Sequence, residues 1–99
     1  MSQIVVVGTF HLAEGQEEAG IAAFQDLALR SLEEDGCLSY VIHRDTQDPR
    51  ALTGIEHWAS HPSLDAHMQQ PYVAELIGRA DDLLDEPFSL KVLAPIVAV

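Results

Sequence analysis

The sequence predicts an α+β fold, a ferredoxin-like β-α-β-β-α-β antiparallel sheet carrying its helices on one face. Three observations lead there. Four short runs rich in Val, Ile and Leu have the length and composition of strands. Two longer stretches between them place apolar residues at steps of three and four, as an amphipathic helix does. The order in which these alternate along the 99 residues is that of a split βαβ unit.

The first strand is Ile4 to Phe10, with many β-branched residues and a turn at Glu14-Gly15. A helix over Glu17 to Leu32 follows, with Ile21, Phe24, Leu27, Ala28 and Leu32 on one stripe. Glu17 and Glu18 suit its positive N-terminal end. Glu33, Glu34 and Asp35 oppose its negative end, so they are read as lying just beyond it, with Gly36 as the stop. Cys37 to Arg44 is the second strand, with Leu38, Tyr40 and Ile42 facing one way and Cys37, Ser39, Val41 and His43 the other. Because both sets are largely apolar, covering on both sides is expected. Asp45 to Arg50, with its Asp-Pro step, is a hairpin loop.

Ala51 to Trp58 is the third strand, and period two puts Leu52, Gly54, Glu56 and Trp58 on a common face. Gly54 inside a strand points to a bulge or a close approach by a ligand or another backbone. Ser60 caps a short helix with Pro62 in its first turn. Pro71 starts a longer helical run to about Leu84, with Tyr72, Leu76, Ile77, Ala80, Leu83 and Leu84 on its inner face. Pro87 ends it. Phe88 to Leu93 is the fourth strand, and Ala94 to Val99 is an apolar tail.

Ninety-nine residues, 47% of them apolar, make one domain, residues 1–99, with one core. Sixteen acidic against five basic side chains give a net charge of −11, which disfavours nucleic acid and anionic membrane surfaces as partners. One cysteine, Cys37, forms no internal disulfide, and the N-terminus lacks a basic leader. No apolar run approaches the ~18 residues of a membrane span, so a cytoplasmic setting is expected. A sheet with helices on one side leaves its other apolar face bare, and a homodimer through the sheet faces answers that.

Taken in order, these pieces resemble the antibiotic biosynthesis monooxygenase family. The resemblance rests on Glu14-Gly15, Gly36-Cys37-Leu38-x-Tyr40, His43-Arg44-Asp45, Asp48-Pro49, Glu56-x-Trp58, Leu64-x-x-His67 and Pro71-Tyr72, and it covers nearly the whole chain. It implies a dimeric α+β barrel, a homodimer whose two sheets close together, with a small-molecule pocket between sheet and helices. Members include enzymes that oxidise phenolic or quinol-type compounds with molecular oxygen and without flavin or metal. Others degrade haem or isomerise small signalling molecules, so function follows from the fold only by analogy.

The candidate site gathers Glu56 and His67 as an acid/base pair, since a carboxylate beside an imidazole suits proton abstraction. Trp58 is either a stacking surface for a planar ring or a core residue. Tyr72 and Tyr40 are hydrogen-bond donors to a substrate oxygen, or buried tyrosines satisfying their own hydroxyls. His43, on the opposite strand face from Tyr40, is a further substrate-binding candidate near the expected dimer contact. His57 and His61 are separated by a strand end and a Ser-His-Pro turn, which rules out helical metal-pair geometry, and no metal or other cofactor is expected. Three functions remain open from sequence: a cofactor-independent monooxygenase on a small aromatic or quinol substrate, a ligand-binding dimer without turnover, and a proton-transfer isomerase. Haem degradation is disfavoured, because the resemblance calls for an asparagine where the first strand has Gly8 and Thr9.

Overall fold

The computed structural model describes residues 3–97. Its elements are β1 (Ile4–His11), α1 (Glu17–Ser31), β2 (Cys37–Arg44), β3 (Ala51–Trp58), α2 (His61–Met68), α3 (Pro71–Gly78), α4 (Ala80–Leu83) and β4 (Ser89–Leu93). All pairings are antiparallel, in the order β2-β3-β1-β4. The ferredoxin-like arrangement read from the sequence is present. The closed barrel is not: the sheet is open, with β2 and β4 as its two edges. Four strands at ordinary twist do not curl far enough to meet, whereas even small barrels take about eight.

Burial alternates strictly along β3, where Leu52, Gly54, Glu56 and Trp58 are all buried. That face packs on the helices. The core joins Ile4, Val6, Leu12, Phe24, Leu27, Tyr40, Leu52, Trp58, Leu64, Val73, Leu83 and Leu84. Among the described residues nothing packs over the opposite face of the sheet at Val41, which is 47% exposed. The expectation that β2 is covered on both sides therefore fails within the chain. Leu38 also leaves the Tyr40 face, because the β2–β3 register shifts between Cys37 and Ser39. Here lies the irregularity that Gly54 suggested. Gly54 instead pairs with Gly8, and a Cβ on Gly8 would come within 2.8–2.9 Å of the Phe10 ring. The two glycines make room for that ring over the sheet.

The long helical run predicted from Pro71 breaks into α3 and α4 at Gly78–Arg79. Glycine is a poor helix former, and the break turns the inner face. Val73 is buried instead of Ile77, which is 44% exposed. Ser60 caps α2 as expected, accepting from the Ser63 amide. The fourth strand starts at Ser89, one residue after Phe88. Ile96 and Val97 of the apolar tail are exposed, and Ala98 and Val99 lie outside the described residues.

Candidate active site

An apolar cavity of about 60 Å³ lies between the helix-facing side of the sheet and α1–α4. Phe10, Phe24, Leu83, Leu84 and Phe88 form much of its wall, and Met68, Ile77 and Leu90 are partly exposed at its rim. Its polar groups are Tyr40, Glu56 and His67. Strand period carries Glu56 inward from β3, while the Leu64-x-x-His67 spacing of α2 puts both residues on the buried side of that helix.

Glu56 accepts a hydrogen bond of 2.9 Å from Trp58 Nε1–H and sits opposite Tyr40 across the β2–β3 pairing. Burial raises the Glu56 carboxyl above the ordinary range, although Trp58, His67 and Tyr40 oppose the shift. Burial likewise drives the Tyr40 hydroxyl far up, with the Glu56 charge adding to it, so Tyr40 stays a neutral donor. Trp58 is fully buried and stacks at a tilt on His67, with ring centroids 4.6 Å apart. It therefore stands behind the acid and the imidazole, orienting both, and is not on the cavity wall.

His67 is 2% exposed, and its Nδ1–H donates to Glu34 Oε2 at 2.7 Å. A carboxylate only accepts, so this bond leaves Nε2 with the free lone pair. Tyr72 donates its hydroxyl to the same Glu34 oxygen, and Arg30 lies 5.6 Å above the Tyr72 ring. Tyr72 thus joins the site through Glu34 rather than by lining the cavity. Glu34 escaped the sequence reading as one of three acids past a helix end. Its signal was their very placement: three carboxylates at the negative end of a helix are unfavourable unless some are held by partners. Gly36, at φ +87° and packed on Ser63, makes the turn behind it.

His43 sits elsewhere. It is exposed on the outer sheet face and donates Nδ1–H to the Thr53 carbonyl at 3.1 Å. A second histidine–carboxylate cluster occupies the far end of β1. There His11 bonds to Asp48 at 2.9 Å and to Asp85 at 2.7 Å, and both contacts raise its pKa. Among the described residues, His11, Asp85 and Glu86 bring possible metal-ligand atoms within 4.8 Å of one another, though His11 already spends both nitrogens on carboxylates. No described helix is long and apolar enough to cross a membrane.

A four-stranded ferredoxin-like sheet, with a carboxylate and an imidazole among the lining of an apolar cavity between sheet and helices, defines a small α+β protein. The chain belongs to the antibiotic biosynthesis monooxygenase family, whose model matches residues 3–79. It is 33% identical over 89 residues to the uncharacterized protein sll1783 of Synechocystis, a match covering 90% of this chain and 60% of that one. It thus spans about 60% of that relative's length. The solved structure of Rv0793 from Mycobacterium tuberculosis superposes with a TM-score of 0.91 at 26% identity, covering 98% of both chains. SO0527 of Shewanella oneidensis gives 0.89 at 27% identity over 95% of this chain and 91% of the other.

Proposed function

We propose that the chain is an oxidoreductase of the monooxygenase type, acting without a cofactor on a small aromatic phenol or quinol in the inner cavity. The observation that carries this reading is that Glu56 and His67, with Tyr40, line an otherwise apolar cavity. His67 Nε2, or Glu56 when ionised, takes the phenolic proton. Tyr40, which lines the same cavity, holds the substrate oxygen in this reading. The resulting anion is electron-rich and passes its electrons to molecular oxygen directly, so the substrate supplies the reducing power. Membership of the family supports the reaction class, and the apolar wall supports an aromatic substrate.

The cavity sets a limit on size. At about 60 Å³ it is smaller than the ~150 Å³ cavity known to take benzene, so a bound ring must push the rim residues Met68, Ile77 and Leu90 outward. A homodimer through the outer sheet faces is part of the reading, supported by exposed Val41 and Leu93, as is a cytoplasmic setting, supported by the lone thiol of Cys37.

The test is oxygen uptake by the purified chain with anthrone as probe, in wild type and Glu56→Gln. Uptake that saturates with anthrone and falls about 10²-fold or more in the variant is expected. No uptake across a set of anthrols and quinols contradicts the reading. The same acid/base pair also suits a proton-transfer isomerase, and product formed under strict anaerobiosis would assign it there.

A further inference from the structure

His67 is fastened from behind by an element other than its own. Glu34 stands in the turn after α1, and its Oε2 receives both His67 Nδ1–H, at 2.7 Å, and the hydroxyl of Tyr72 from α3. Burial and the bond to Glu34 push the Tyr72 hydroxyl up to about 12, so it remains a donor across neutral pH. Tyr72 also lines an outer groove with Arg30 and Arg79. The Glu34 side chain is 11% exposed while that of His67 is 3% exposed. Glu34 therefore spans the gap between a buried ring and water.

We propose that Glu34 is a positioning residue and proton outlet for His67. It fixes the tautomer that presents Nε2 to the cavity, and it takes over the Nδ1 proton once Nε2 is protonated. In the step, the substrate O–H bond breaks as Nε2–H forms. The Nδ1–H bond then breaks as a Glu34 O–H bond forms, and that proton leaves to solvent, restoring the carboxylate; the ring is reset when Nε2–H passes to the anionic oxygen of the product and Nδ1 takes a proton back from solvent through Glu34. Only protons and their bonding pairs are redistributed, and no oxidant is needed. This assignment rests on the reading that His67 meets the substrate.

The experiment compares wild type, Glu34→Gln and Glu34→Ala on the full chain, by ¹⁵N NMR of the histidine rings and by oxygen uptake with anthrone. Glutamine keeps a carbonyl acceptor for Nδ1–H but takes no proton. It should preserve the wild-type His67 tautomer and KM while lowering kcat by about tenfold or more. Alanine should lose the tautomer preference as well. A His67 ring with unchanged nitrogen shifts in Glu34→Ala, or an undiminished kcat in Glu34→Gln, overturns the assignment. If Glu34→Ala fails to fold, Glu34→Gln decides through its kcat and its pH profile. A His67→Ala protein that still consumes oxygen at the wild-type rate defeats the functional reading instead, and the ring nitrogens then decide the positioning role alone.

Discussion

Two histidines of this chain are each held by carboxylates, and they differ in almost everything else. His67 is enclosed by Trp58, Tyr40 and Tyr72, bonded on one nitrogen by Glu34, and open on the other toward an apolar cavity. His11 sits between Asp48 and Asp85, with both nitrogens occupied and those carboxylates substantially exposed. An imidazole bonded on both sides by carboxylates is a cation serving as a staple. One bonded on a single side, and buried, has a lone pair left for chemistry. The contrast teaches that partner count and burial decide which histidine keeps a free lone pair, since both have carboxylates within 3 Å.

The largest expected effect is on stability at the buried cluster. Trp58→Ala should cost about 3–5 kcal/mol, because it empties a fully enclosed site and removes the donor to Glu56. Denaturant unfolding would register it as a lower midpoint. His67→Ala should cost a similar amount, about 3–5 kcal/mol, since the nearly buried Glu34 carboxylate loses its imidazole partner and keeps only the Tyr72 hydroxyl. The same substitution at His11 should move the midpoint far less. Equal losses at the two positions would break the comparison.

Glu56→Gln sharpens it from the side of function. Glutamine still accepts from Trp58 but carries no charge, so activity should fall while stability at neutral pH rises. The sign follows from linkage: burial raises the folded-state pKa of Glu56, so stability falls as pH climbs from the unfolded value of 4.5 through the folded one. Removing the charge removes that loss, and thermal melts of the two proteins at pH 4 and about pH 7.5 check it. A variant that melts lower than wild type at neutral pH would contradict the assigned direction.

The smallest effect belongs to the staple. The raised pKa of His11 means that its contribution is fully present below the unfolded value of 6.5 and is lost as pH rises through the folded one. The lowered pKa of Asp48 gives the opposite limb, with stability present above 3.8 and lost as pH falls through its folded value. The gap in melting temperature between wild type and His11→Ala should therefore be widest near pH 5–6 and close by about pH 9. A gap that grows with alkalinity would show that the ion pairs do not hold β1 to the two loops. Arg50, 3.7 Å from Asp85, and Glu86, 4.0 Å from His11, share this corner and damp the change.

Much of this was legible in the sequence. The bounds of β2 and β3 coincide with the predicted ones, and period two alone put Glu56 and Trp58 on a common face, which packing then turns toward the helices. His67 was named through the Leu64-x-x-His67 piece of the family resemblance. What escaped lies where local pattern has no hold. Glu34 is tied to residues 33 and 38 positions away, and nothing in its own neighbourhood distinguishes it from Glu33 or Asp35. The depth of Trp58 depends on how α2 settles over β3, and whether a sheet closes depends on its edges, not on the composition of its strands. His11 was passed over for the same reason as Glu34: its partners come from two loops distant in sequence.

The central claim is that the Glu56–His67 pair removes a proton from a small aromatic ligand, and titration with p-nitrophenol watches that event directly. Bound in the cavity, the probe should give up its proton and show the phenolate absorption band at a pH where it is largely neutral in water. His67→Ala and Glu56→Gln should each weaken that band at equal occupancy. A probe that binds wild type and stays protonated, or that ionises equally well in both variants, would contradict it.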